Sequence, residues 1–200
     1  MKTKIDRGSY MNNLFKHIKT VKQHRKYVRQ MCFKMGIPLR GLLHDLSKYS
    51  LTEMKVVKYY DGYRSPHEKM REELGYSCCW YHHRNKNKHH WEFWIDALEE
   101  KLAVKMPYKY VIELICDMTG ASRAYCKDIK NWKTDSVLNY WNLHDGPHRI
   151  IHPTTRTFID YMFNTLACSE SINDFVKWYK LNKKILKIMY KEDSISELIV

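Results

Sequence analysis

The sequence predicts an all-α fold, a helical bundle with short loops. Three observations lead there. Apolar residues recur at intervals of three and four over most of the 200 residues, strand-type alternation is nearly absent, and Gly (7) and Pro (5) are scarce. Hydrophobic residues make up 44% and charged residues 28%, which is a globular composition and excludes a disordered or fibrous chain.

Leu14, Ile18, Val21, Val28, Met31 and Met35 set the period of a first helix over 12–34. Gly36 reads as its stop, and Pro38 as the first turn of a short second helix over 38–49. In that helix Leu42, Leu43 and Leu46 are expected in the core, with His44, Asp45 and Lys48 projecting together. Ser50-Leu51-Thr52-Glu53 is a capping-box pattern opening a third helix toward Tyr60, and Ser65-Pro66 opens another that ends near Gly75. The stretch 78–90 is polar and reads as irregular. Trp91, Trp94, Ile95, Leu98 and Leu102 then resume helical spacing. Pro107 starts a helix with Val111, Leu114, Ile115, Met118 and Ser122 on one face, and 135–143, 154–166 and 173–190 complete the set. His144-Asp145-Gly146-Pro147 carries a turn signal, and 191–200 reads as an end that is frayed or docks weakly. The expected organisation is a tail at 1–12, a helical domain at 13–168, and a C-terminal helix with its tail at 169–200, packed on that domain.

No apolar run approaches the roughly 18–20 residues of a membrane span, and residues 1–13 have no secretory h-region. Six cysteines without a CxxC pair read as free thiols of a cytoplasmic protein. The net charge of +13 favours a phosphate-bearing partner, either an anionic small molecule or nucleic acid.

Eleven histidines are the main chemical signal. With 11 His and 11 Asp, chance supplies about 0.6 His-Asp dipeptides, so context must distinguish the two present. His44-Asp45 lies in Leu42-Leu43-His44-Asp45-Leu46-Ser47-Lys48, where adjacent nitrogen and oxygen ligands could hold one divalent ion. His17 and His24, seven apart, share a face of the first helix. A turn at Gly36 would bring one or both near His44. Asp117 borders an apolar face, where a carboxylate needs a partner, and His82, His83, His89 and His90 supply four more imidazoles. Taken singly, each has an ordinary structural role, and Cys78, Cys79, His82 and His83 lack the spacing of a structural zinc site.

The order His24, LLHDLSK, histidines in the 80s, then Asp117 resembles the HD-domain superfamily of all-helical metal-dependent phosphohydrolases. More closely, the segments 36–50, 82–94, 106–125 and 151–156 are similar to phage and bacterial proteins grouped as a domain of unknown function. The superfamily resemblance implies an HD-like bundle with His24, His44, Asp45 and Asp117 as ligands of a first metal. His83 and His90 are then candidates for a second. One or two ions of Mn, Fe, Ni, Co or Mg would activate water and polarise a phosphoryl oxygen. Asp45 could bridge two ions, while Lys48 and Arg84 would neutralise a nucleotide-like phosphate ester. The alternative is a non-enzymatic nucleic-acid-binding or phage accessory protein in which the basic surface is the function and the metal site is vestigial.

Overall fold

The computed structural model describes residues 7–60, 65–96, 102–144 and 149–198. Among them are nine α-helices and one two-stranded antiparallel sheet: α1 Arg7–Lys34, α2 Pro38–Leu43, α3 Leu51–Met54, α4 Pro66–Leu74, α5 Cys78–Lys86, β1 Ile95–Asp96, β2 Leu102–Ala103, α6 Tyr108–Ala124, α7 Asp135–His144, α8 Pro153–Ala167 and α9 Ile172–Lys191. The fold is an all-α bundle. No helix in the described residues is long and apolar enough to cross a membrane.

The helix α6 is the centre of the bundle and is buried nearly all round, from Val111 to Cys116 and again at Thr119 and Gly120. On α1 the buried stripe runs His17, Val21, His24, Val28, Met31 and continues to Met35 just past its end, at alternating spacings of four and three. Two imidazoles thus occupy slots that an ordinary core helix fills with aliphatics. One large core joins α1 and α6 to Phe158, Ile159, Met162 and Phe163 of α8 and to Phe175, Tyr179 and Leu186 of α9. A small second cluster, Val56, Tyr59, Met70 and Cys79, underpins the α3–α5 side.

Gly120 sets the α1–α6 distance. A Cβ there would come within 3.0 Å of the Val28 backbone nitrogen and closer still to Val28 Cγ2. We expect Gly120→Ala to destabilise the protein by about 1–3 kcal/mol through this overpacking. A urea denaturation midpoint unchanged from wild type would contradict the close approach.

Several sequence expectations are corrected. The second helix does not run to 49. It stops at Leu43, His44 leaves the helical region (φ −52°, ψ 128°), Asp45 is left-handed (φ 54°, ψ 27°), and a 3-10 turn follows at Leu46–Tyr49. Leu42, Leu43 and Leu46 are not core anchors but are about half exposed, while His44 and Asp45 are buried. The segment 78–90 is not irregular, because Cys78–Lys86 forms α5, whose N-cap Ser77 accepts a hydrogen bond from the Trp80 amide at 3.1 Å. The spacing at 91–102 marks a 3-10 turn at Trp91–Trp94 and the β1–β2 ladder, not a helix. The third helix is shortened to Leu51–Met54 and continues as 3-10 turns. Near the C-terminus Ile195 packs in the core at 1% exposure, so of the two expected outcomes for that end, frayed or docked, the segment at Ile195 is docked. The expected loop at 144–147 falls on 145–148, outside the described residues.

Candidate metal centre

Three pieces of chain bring the first group of donors together. His24 comes from the buried stripe of α1, His44 and Asp45 from the break after α2, and Asp117 from the α1-facing side of α6. His24 Nε2 lies 3.1 Å from Asp117 Oδ1 and 3.3 Å from both Asp45 Oδ2 and His44 Nε2. His44 Nε2 lies 3.3 Å from Asp45 Oδ2 and 3.2 Å from Asp117 Oδ1. Donors bound at about 2.0–2.2 Å to one cation stand about 3.0–3.4 Å apart between octahedral and tetrahedral angles, and these edges fall in that interval. The left-handed turn at Asp45 permits this, because it reverses the chain and points the carboxylate inward beside His44.

Asp45 is shared. Its Oδ1 lies 3.4 Å from His83 Nε2 and 3.5 Å from His89 Nε2, and with His90 these form a second group. Asp45 Oδ1 and the Nε2 atoms of His83, His89 and His90 are buried without a hydrogen-bond partner. Buried polar atoms left in that state are costly unless something binds them. Nitrogen and oxygen donors fit a divalent first-row ion or magnesium, so the His/Asp cluster could hold a metal ion.

Carboxylates behind the cluster aim the imidazoles. Glu113 Oε1 lies 3.2 Å from His44 Nδ1 and 3.3 Å from His89 Nδ1, and Arg40 Nε donates to Glu113 Oε2 at 2.6 Å. Glu53 faces His82 Nδ1 at 2.9 Å and His83 Nδ1 at 2.8 Å. A carboxylate only accepts, so the Nδ1 atoms of His44 and His83 each carry a proton and the rings turn their Nε2 atoms to the cluster. Sequence reasoning missed both carboxylates and left open which of His82, His83, His89 and His90 join the cluster. Ser50 Oγ does accept from the Glu53 amide at 3.3 Å, as the capping pattern requires, but the Glu53 carboxylate turns to the histidines. Glu113 precedes Asp117 by one turn of α6, and that i, i+4 spacing was the available signal.

The electrostatics are those of a cation trap. Burial alone would raise the Asp45 and Asp117 carboxyls. The imidazoles around them, with Lys48 beside Asp45, overcome this and hold both well below the ordinary range. Burial opposes charge on His44 too, but Asp45, Asp117 and Glu113 hold its imidazolium well above the usual value. Burial lowers His83, and burial with neighbouring His89 and His83 lowers His90, which leaves both neutral.

A cavity of about 350 Å³ adjoins the cluster, with His24, His83, His90 and Asp117 in its wall. Lys48, whose Nζ is 2.6 Å from Asp45 Oδ2, lines it together with Arg71, Arg149, Trp80, Trp91 and Tyr140. Arg84 does not. It lies over the Tyr81 ring, 4.9 Å from the centroid, beside a separate cleft. His82 stands behind the cluster on Glu53, and His17 lines the cavity outside the ligand groups, edge-on to Tyr60. A larger groove of about 1040 Å³ lies between α1 and the α8–α9 junction and contains none of the clustered residues.

A sequence profile of a family of unknown function, DUF5662, matches residues 13–165. The chain belongs to this family. The DUF5662 match takes in every residue of the cluster and both supporting glutamates and stops before α9. No curated protein and no solved structure matches the chain.

His17 gives a pH test independent of the ligands. Burial first, then Lys48, lowers its pKa from 6.5 to about 4. On acidification the unfolded chain therefore takes the proton first. The His17 contribution is intact above pH 6.5 and is lost as the pH falls toward 4, by about 3 kcal/mol at most. We expect His17→Phe to flatten the acid limb of the stability profile. Parallel wild-type and variant profiles from pH 7 to 4 would contradict this.

Proposed function

We propose that this protein is a metal-dependent phosphohydrolase acting on a nucleotide or related phosphate ester. The carrying observation is the convergence of His24, His44, Asp45 and Asp117 donors at 3.1–3.3 Å beside a cavity lined by cations. The order of these residues along the chain, which is that of HD-domain phosphohydrolases, supports the reaction type. His24, His44, Asp45 and Asp117 hold the first cation, and Asp45 with His83, His89 and His90 offers a second place. A divalent cation there supplies Lewis acidity toward water and a phosphoryl group. Lys48 offsets phosphate charge, with Arg71 and Arg149 on the cavity wall taking the part expected of Arg84. Trp80 and Trp91 give the non-phosphate part of the ester an aromatic wall. A cavity of about 350 Å³ suits a mononucleotide-sized ester and not a polynucleotide.

The test is hydrolysis of p-nitrophenyl phosphate and a panel of nucleoside monophosphates by protein stripped with chelator and reloaded with Mn, Fe, Co, Ni or Mg. We expect activity to return with at least one metal and to be absent in a folded His44→Ala variant. Metal-replete wild type inactive on every ester would overturn the hydrolase reading.

A further inference from the structure

The segment that carries His44 and Asp45 turns its leucines outward. Leu39, Leu42 and Leu43, at i, i+3 and i+4 of α2, share one helix face and are 66%, 47% and 50% exposed. Leu46 follows at 48%. The inversion follows from how α2 seats on α1. A Cβ at Gly41 would meet Cys32 Cβ at 2.6 Å, so α2 lies backbone-first on α1 and the leucines point away. Arg25 of α1 fastens the two, donating to the carbonyls of His44 at 2.8 Å and Leu42 at 3.1 Å. Alongside, exposed Lys22, Lys26, Arg29 and Phe33 recur every three or four residues of α1. From Tyr10 to Tyr60 the chain has 11 Lys and Arg and two acids, Asp45 and Glu53, both buried. This face therefore combines aliphatic side chains and positive charge, and its own segment contributes no exposed acid.

We propose that this face docks on the surface of an anionic phospholipid bilayer. A second copy of the chain would cover the leucines but bring like charges together with no exposed acid from this segment to pair them. A nucleic acid would pair with the cations and leave four leucines without an apolar partner. An anionic bilayer meets both halves: phosphates for Lys22, Lys26 and Arg29, and the acyl boundary for Leu39, Leu42, Leu43 and Leu46.

The test is co-sedimentation of the full-length protein with vesicles of equal parts phosphatidylglycerol and phosphatidylcholine, against phosphatidylcholine alone. We expect binding to the mixed vesicles only, weakening as salt rises. Lys22→Gln with Lys26→Gln should lower the partition coefficient about fivefold per charge. Leu39→Ser with Leu43→Ser should lower it at least tenfold while the melting temperature and metal content stay at wild-type values, since these side chains are exposed. Three outcomes would overturn the proposal: no preference for the anionic vesicles, full binding by the leucine variant, or a concentration-dependent dimer that the leucine substitutions abolish. Short duplex DNA bound as tightly by the leucine variant as by wild type, with vesicle binding absent, would assign the face to nucleic acid instead.

Discussion

Asp45→Asn is expected to yield a folded protein that keeps less than a tenth of the wild-type metal and hydrolyses phosphate esters at least about a thousandfold more slowly. Asparagine tolerates the left-handed backbone at position 45, so the turn that orients His44 survives. What disappears is charge. Asp45 places an oxygen in each donor group, Oδ2 toward His24 and His44 and Oδ1 toward His83 and His89. Its loss also leaves Lys48 without the counter-ion 2.6 Å away. Breaking a buried pair costs about 3–5 kcal/mol. Lys48 retains 23% side-chain exposure, so about 2–3 kcal/mol is expected here, too little to unfold an ordinary domain. Circular dichroism and elemental analysis of one preparation separate the two effects. Wild-type metal content in the asparagine variant would contradict the bridging role.

Glu113→Gln is expected to weaken the tightest-bound metal about 10–100-fold without touching a donor atom. The carboxylate accepts from His44 and faces His89 Nδ1 at 3.3 Å while Arg40 balances its charge, and these contacts lower its pKa to about 2 despite burial. An amide can accept from one imidazole, but its NH2 opposes the other Nδ1–H, so one ring loses its aim. Glu53→Gln acts elsewhere. It releases His82 and His83, and if two ions bind it should weaken the second step of a metal titration more than the first. Titration calorimetry of apo-protein reads both. Identical isotherms for wild type and Glu113→Gln would remove the supporting carboxylates from the account.

The parts of this molecule that were legible in the sequence are those where burial follows apolar spacing. The long helices α1, α6, α8 and α9 were found this way, since Val21, Val28 and Met35, or Phe175, Tyr179 and Leu186, mark them directly. The site inverts the rule. Around His44 the polar residues go in and the leucines stay out, so the assumption that leucines anchor the core failed there. The helix α5 was missed for a related reason: His83 and Cys79 are its buried residues, and Cys78–Lys86 shows no apolar stripe. Glu53 satisfied a local pattern, the helix cap, and so concealed its contact with His83. Glu113 lay within a nearly apolar run, Val111 to Cys116, where a single acid reads as an edge residue. His24, His44, Asp45 and Asp117 were associated through the resemblance to HD-domain proteins, which follows their order along the chain. The supporting carboxylates required knowing which helix faces meet.

The most direct measurement is anomalous X-ray scattering from crystals of the protein soaked in manganese, with data above and below the metal edge. A peak is expected between His24 Nε2, His44 Nε2, Asp45 Oδ2 and Asp117 Oδ1, at about 2.0–2.2 Å from each. Four ordered side chains with no anomalous peak between them, at saturating metal and neutral pH, would mean that the buried charges are balanced by protons and that the cluster is not a metal centre.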